Sequence, residues 1–177
     1  EDRPARELGV EQPVVVVGRI ADYSGEPTRS LGSPIGDMLA TNLARAPGLR
    51  VVSSARMYEL LGRTASSRDT TLSVVIAAAR LAGATDLIDG AIHRVGDGKL
   101  RLDIQRVDVS SGAVIRAYTV VGGDLFALAD SGSLRLVRHL GTTLPPGSVA
   151  DVTTRSAVAY RFYAEGVRAY STGERER

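Results

Sequence analysis

The chain contains no cysteine and no tryptophan, and of its 22 basic residues one, Lys99, is a lysine. Without cysteine there is no disulfide framework and no thiolate metal site. Aromatic residues make up 5% of the 177 positions, so a core has to be built mostly from Val, Leu, Ile and Ala. No apolar run approaches the ~18 residues that a membrane-crossing helix requires, so no membrane insertion by this fragment is expected. Basic residues are spread evenly, without the clusters that grip nucleic acid or anionic lipid. No nucleic-acid partner is expected.

Catalytic signatures are missing as well. The loop "SGEPTRSLGSPIG" has glycines but no GK[ST], which excludes a P-loop. There is no G-x-S-x-G nucleophile elbow. His93 falls in mid-strand, and His139 falls in the last turn of a helix, where it complements the helix dipole. Asp86 and Asp89 are three apart on a strand and so point to opposite faces. They cannot act as a carboxylate pair on one substrate. An acid at Asp89 inside a sheet needs a partner, for which Arg101 or Arg116 on a neighbouring strand would serve. No catalytic residue, no metal ligand and no cofactor is assigned.

Apolar residues make up 44% of the chain, and a domain of about 150 residues buries roughly 70% of the surface its unfolded chain exposes. The formal charge of +2 and a pI of about 9.2 agree, because few groups titrate here between about pH 7 and 9. The chain opens on Glu1-Asp2-Arg3-Pro4 and closes on "GERER". It reads as a piece of a longer protein whose anchor or export signal lies outside it.

Periodicity supplies the elements. Residues 1–12 read as a flexible lead-in. "VVVVGRI" (14–20) is a β-branched run buried on both faces. After a loop rich in Gly, Ser and Pro, Ser33-Pro34 opens a helix, with Ser as N-cap and Pro at the first turn. Ile35, Met38, Leu39, Leu43 and Ala46 form its face. "LRVVSS" (49–54) is a short strand. Ser54 caps a second helix with Met57, Leu60 and Leu61, stopped at Gly62. Leu72, Val75, Ile76, Ala79 and Ala82 mark a third helix, closed by Gly83.

Leu87–Val95 is a strand, and Asp97-Gly98 is a tight hairpin signal. Leu100, Leu102 and Ile104 alternate with polar residues, then Val107 and Val109 take the opposite parity. A β-bulge near Gln105-Arg106 is expected to restore the register. Ser110-Ser111-Gly112 turns the chain into Val114–Val121. Asp124 caps a helix running to about Leu140. The expected fold class is α/β: a mixed sheet of about five strands with an antiparallel meander over 87–121, helices packed on it, and a carboxyl-terminal helix after a linker. The domain spans 13–141, the linker 142–155 and the final segment 156–177.

Two places are candidate binding surfaces. Tyr23, Ser24, Glu26 and Arg29 lie in the loop after the first strand, where sheet loops often build ligand sites. Tyr160, Phe162, Tyr163 and Tyr170 crowd onto the last helix of a chain poor in aromatics and need a surface to bury against. That surface is either the chain's own sheet domain or another helix.

"VVVVGRIADYSGEP" resembles the opening strand and loop of the TolB amino-terminal-like domain. Gly36-Asp37-Met38-Leu39 through Leu43 and Pro47 to Val52 resemble that family's "GD-x-L-x-x-x-L" helix and "PGLRVV" strand. "ARLAGATDLIDGAIHRVGDGKLRLDIQRVDVSSGAVI" and "GDLFALAD" are similar to its meander and next helix, so the resemblance covers about residues 12–140. "AYRFYAEGVRAYSTGE" resembles the first helix of a tetratricopeptide repeat. The resemblance implies a non-catalytic sensor or interaction domain of a bacterial signalling protein, carboxyl-terminal to a membrane-anchored serine/threonine kinase, binding a protein or small ligand. The alternative it implies is a structural module in cell-envelope or flagellar assembly. Either way it implies an extracytoplasmic location, with a cytoplasmic one left open. The expected partner is a protein, engaged through the repeat region or a sheet edge, with self-association through the terminal helix as a further expectation.

Overall fold

The structure, a computed structural model, describes residues 12–25, 30–64 and 71–172. Strand β1 (Val14–Tyr23) leads through α1 (Gly32–Ala44) to β2 (Arg50–Val52). Helices α2 (Ser54–Thr64) and α3 (Leu72–Leu81) follow, then β3 (Asp86–Arg94), β4 (Leu100–Asp108) and β5 (Val114–Gly122). Helices α4 (Leu125–His139), α5 (Val149–Val152) and α6 (Ala157–Thr172) close the chain. The sheet order is β2-β1-β3-β4-β5. β1 runs parallel to β2 and β3, and β3, β4 and β5 form the antiparallel meander. This is the mixed α/β architecture that the apolar periodicity predicts.

The sheet has two apolar sides because β1 is apolar on both. Val15, Val17 and Ile20 join Ile35, Met38, Leu39, Leu128 and Leu136 in the larger core, under α1 and α4. Val16 joins Met57, Leu60, Val75, Ala79 and Leu87 in a smaller core, under α2 and α3. This explains the parity change in β4. Leu100, Leu102 and Ile104 enter the larger core, whereas Val107 and Val109 enter the smaller one. The bulge expected in β4 is therefore corrected: β4 pairs with β3 in unbroken register from Leu100 to Asp108. The irregularity lies across the other ladder, where Arg106 faces Arg116 and Val107 faces Val114, leaving Ile115 of β5 unmatched.

Two helix starts also differ from expectation. Leu31, not Ser33, occupies the N-cap of α1, with no side-chain cap bond. Tertiary contacts fix this. Asp22 accepts the Leu31 amide at 2.5 Å, and Gly32 lies so close to the Ile20 carbonyl that a Cβ there would come within 2.1 Å of it. In α2 the amide of Arg56 donates to the Ser53 hydroxyl at 3.3 Å, so the capping oxygen is one residue earlier than expected. The helix also runs through Gly62 to Thr64, whose hydroxyl donates to the Leu60 carbonyl. By contrast, Asp97 (φ 59°) and Gly98 (φ 70°) form the tight turn their identities predict. Asp124 caps α4 by accepting the Ala127 amide at 2.9 Å.

After α4 the chain is tied down by Asp130. Its carboxylate accepts from Asn42 Nδ2 at 2.7 Å, from the Ser148 hydroxyl at 2.5 Å and from the Val149 amide at 2.9 Å. Arg45 adds a bond to the Pro146 carbonyl at 2.9 Å. These contacts aim α6 across α1 and α2, where Tyr160 and Ala164 enter the larger core.

Candidate protein-interaction site

Helices α2 and α3 cover part of their side of the sheet, and beyond Leu87 and Val107 that face carries polar groups. Alternation along β3 and β4 places Asp89, Ala91 and His93 there, beside Gln105, Asp103 and Arg101. Thr119 of β5 stands opposite Asp103, and Tyr23 of β1 stands beside His93. The Tyr23 and His93 rings stack with centroids 5.3 Å apart at 27°. Asp103 is the hub of the cluster. It accepts from the Thr119 hydroxyl at 2.6 Å and from Arg101 Nε at 3.0 Å, and its other oxygen lies 3.5 Å from His93 Nε2. Desolvation alone would raise this carboxyl, but the bonds from Thr119 and Arg101, with the His93 ring beside it, hold it below the usual Asp range.

An imidazole, a carboxylate and a hydroxyl within one cluster invite comparison with a hydrolytic triad, and the connectivity is wrong for one. In a triad the hydroxyl hydrogen-bonds the imidazole, which removes its proton. Here the hydroxyl donates to the carboxylate, so the imidazole is not placed to deprotonate it. The His93 side chain is 37% exposed on a flat face. What the arrangement can do is present a fixed surface: a stacked aromatic pair whose neighbours are locked by hydrogen bonds.

Asp86 and Asp89 do point to opposite faces, and each has a partner. Asp86 accepts from Arg106 Nε at 2.7 Å. Asp89 accepts from Gln105 Nε2 at 3.2 Å, which corrects the expectation of Arg101 or Arg116: Arg101 is committed to Asp103. Burial pushes the Asp89 carboxyl upward against the opposing influence of Gln105, Gly90 and Arg19.

Of the four loop residues singled out in the sequence, Tyr23 is 65% exposed and Ser24 is buried. The Ser24 amide bonds the Asp22 carboxylate at 2.8 Å, closing the start of the loop. Glu26 and Arg29 lie outside the described residues. The four aromatics of α6 divide. Tyr160 is buried, edge-on to Phe126 with centroids 6.4 Å apart. Phe162 and Tyr163 are each 64% exposed and Tyr170 is 87% exposed.

One residue carries more weight than the sequence suggests. Asp37, in the buried face of α1, is almost fully enclosed. Burial pushes its carboxyl up to about 6, against a weak opposing influence from Ser54. Burial, with the Asp37 charge nearby, pushes the hydroxyls of Tyr58 on α2 and Tyr160 on α6 up to about 12. Asp37 thus sits where α1, α2 and α6 meet. The available signal was an acid between Gly36 and Met38 at a core-facing position.

Among the described residues no group of His, Cys, Asp and Glu is gathered as a metal site, and no helix is long and apolar enough to cross a membrane. No protein-family model matches the chain, and a search of curated proteins finds no match. Solved structures do match. The LpoB C-terminal domain from Salmonella enterica aligns with a TM-score of 0.54 at 18% identity, covering 64% of this chain and 84% of that one. Lipoprotein GNA1162 from Neisseria meningitidis aligns with a TM-score of 0.50 at 12% identity, covering 71% of this chain and 96% of that one. TolB from Acinetobacter baumannii also aligns, over 73% of this chain and 28% of that one at 14% identity, but its TM-score of 0.48 carries no weight. At these identities what the chain shares with the first two is a fold: the mixed sheet with helices on it.

Proposed function

We propose that this chain is a non-catalytic protein-interaction module of the bacterial cell envelope. The observation that carries the reading is the split use of α6. Its Tyr160 and Ala164 anchor it to the sheet domain, while Phe162, Tyr163 and Tyr170 are turned out from the fold. Large aromatics held in water on a firmly docked helix are the kind of residue that anchors protein interfaces. A first tetratricopeptide helix would present such a face to the next helix of an array.

The envelope setting is supported by the fold shared with a protein described as a lipoprotein, since a lipid-anchored domain works at a membrane surface. It is also supported by the resemblance to envelope-assembly relatives. This favours the structural envelope module over the kinase-linked sensor, for which the resemblance alone speaks. Tyr23, with His93 stacked on it, is a second contact point on this reading.

The test is retention of envelope proteins by the immobilised chain, with Phe162→Ser/Tyr170→Ser as the comparison. The reading expects specific partners from an envelope extract that the double variant loses while keeping its thermal midpoint. Equal retention by both proteins removes α6 from the interface. Turnover of a substrate by the purified chain removes the non-catalytic assignment.

A further inference from the structure

β5 is an edge strand: in the order β2-β1-β3-β4-β5 it has one neighbour, and no described strand pairs with its outer side. Edge strands are usually blunted by charge, by bulges or by a covering element. The bulge at Ile115 disturbs the beginning of β5, but from Arg116 to Gly122 its pairing with β4 is regular, so its outer edge is a straight run of backbone. Beside that edge, between β5 and α4, lies a groove of about 480 Å³ lined by Tyr118, Ser131, Leu134, Arg135, Arg138 and His139.

The groove has a marked chemistry. Its lining carries two arginines and no carboxylate. Arg116, two residues from Tyr118, shares its face of the strand. None of Arg116, Arg135 and Arg138 makes an ion pair among the described residues, whereas Arg101 and Arg106 do. Basic residues in the last turn of α4 complement its dipole, which accounts for Arg138 and His139 but not for Arg116 on the strand. The floor is Tyr118, packed at 5.4 Å against the His139 ring. The Tyr118 hydroxyl is buried with no hydrogen-bond partner. Leu134 adds exposed apolar surface beside it.

We propose that β5 and this groove receive an extended, acidic segment of a partner protein, added to the sheet as a sixth strand. Main-chain bonds along the free edge would supply affinity, as in other strand additions. Alternate side chains would enter the groove, where a carboxylate meets Arg135, Arg138 and the waiting Tyr118 hydroxyl, and an apolar group meets Leu134. Charge selects this occupant over a second copy of the chain. Edge-to-edge pairing of two β5 strands would bring two margins bearing Arg116, Arg135 and Arg138 together, and like charges so placed repel. This surface is separate from the aromatic face of α6, so either proposal can fail alone.

The test uses a fluorescein-labelled peptide of about ten residues alternating Glu and Val, long enough to span β5. Two controls accompany it: one with Lys for Glu, and one with alternate backbone nitrogens methylated. The acidic peptide is expected to bind, with amide shift changes concentrated in β5 and the carboxyl-terminal half of α4. Binding is expected to weaken at least roughly tenfold between about 50 mM and about 500 mM salt. It should weaken similarly in Arg135→Glu/Arg138→Glu and in Arg116→Glu, exposed positions whose variants should stay folded; Arg116→Glu, away from the helix end, should also keep its thermal midpoint. Loss with the methylated peptide would show that the strand edge is used. No binding of the acidic peptide, equal binding of the Lys peptide, shift changes away from β5, or a dimer through β5 in its absence would each overturn the proposal.

Discussion

Arg106 Nε lies 2.7 Å from Asp86 Oδ1 across the β3–β4 ladder, and Arg106 Nη1 reaches the His139 carbonyl at the end of α4, 3.1 Å away. One side chain therefore joins two strands to the last turn of a helix. Its exposure is 18% and that of Asp86 is 7%, so the pair is largely desolvated. Removing one partner strands a buried charge, at about 3 kcal/mol or more. We expect Arg106→Met to lower unfolding stability by about that amount. The double variant Asp86→Ala/Arg106→Met should recover a large part of the loss. A double-mutant cycle by urea unfolding measures the coupling, and additive losses would show that the two side chains act independently.

Asp103 makes as many contacts as Asp86 and is expected to matter far less to folding. Its side chain is 33% exposed, and exposed ion pairs contribute under about 1 kcal/mol. Asp103→Asn should lower the unfolding free energy by less than about 1 kcal/mol, by an amount that shrinks in high salt. A loss as large as that of Arg106→Met would mean that this face is buried in solution, for instance by a second copy.

Asp37 gives stability an unusual pH dependence. Its folded-state pKa of about 6 stands above the ordinary 3.8, so the unfolded chain gives up this proton first. Between those values the folded state binds more protons, and stability falls as pH rises from about 4 to about 6 and stays lower above. The interval corresponds to about 3 kcal/mol. Asp37→Asn should remove this dependence: close to the native protein at pH about 4, more stable than it at pH about 8. Thermal midpoints at the two pH values decide it, and equal pH profiles for the two proteins would count against a buried, protonatable Asp37.

Gly90 of β3 leaves no room for a Cβ against the backbone of β4. A Cβ there would lie 2.2 Å from the Asp103 carbonyl oxygen and 3.2 Å from Ile104 Cα, both backbone atoms that cannot rotate away. Gly90→Ala should lose roughly 2 kcal/mol or more as the strands part. Gly36→Ala is the control. Its nearest neighbours would be side-chain atoms of Ile20 at 3.6 Å and Val17 at 3.8 Å, and in a helix interior alanine is favoured by about 1 kcal/mol. Chemical denaturation of the two variants should give changes of opposite sign.

The elements were legible because their signals are local. The β-branched run at Val14, the heptad-like spacing of Ile35, Met38, Leu39 and Leu43, the Asp97-Gly98 turn and the Asp124 cap each depend on neighbours a few residues away. The structure departs from these local signals where a distant group intervenes. Ser33 lost the cap of α1 because Asp22 and the Ile20 carbonyl reach the helix start from β1. The parity change at Val107 looked like a bulge because a single strand does not reveal that both its faces are covered at one end. The loop after β1 has only its position to mark it in the sequence, and of its four candidate residues Tyr23 and Ser24 fall among the described ones.

The order of the strands and main helices and the Asp97-Gly98 turn were settled by the sequence alone, since period and turn chemistry are properties of short stretches of chain; the short helix α5, inside the expected linker, was not. Only the tertiary structure decided that His93 stacks on Tyr23 beside Asp103, that Gln105 rather than Arg101 or Arg116 bonds Asp89, that Arg106 neutralises Asp86, and that Asp37 is sealed under α6. Those outcomes depend on which strands become neighbours and which faces are desolvated, and the free energy of a charge is set by groups that folding brings to it from far along the chain.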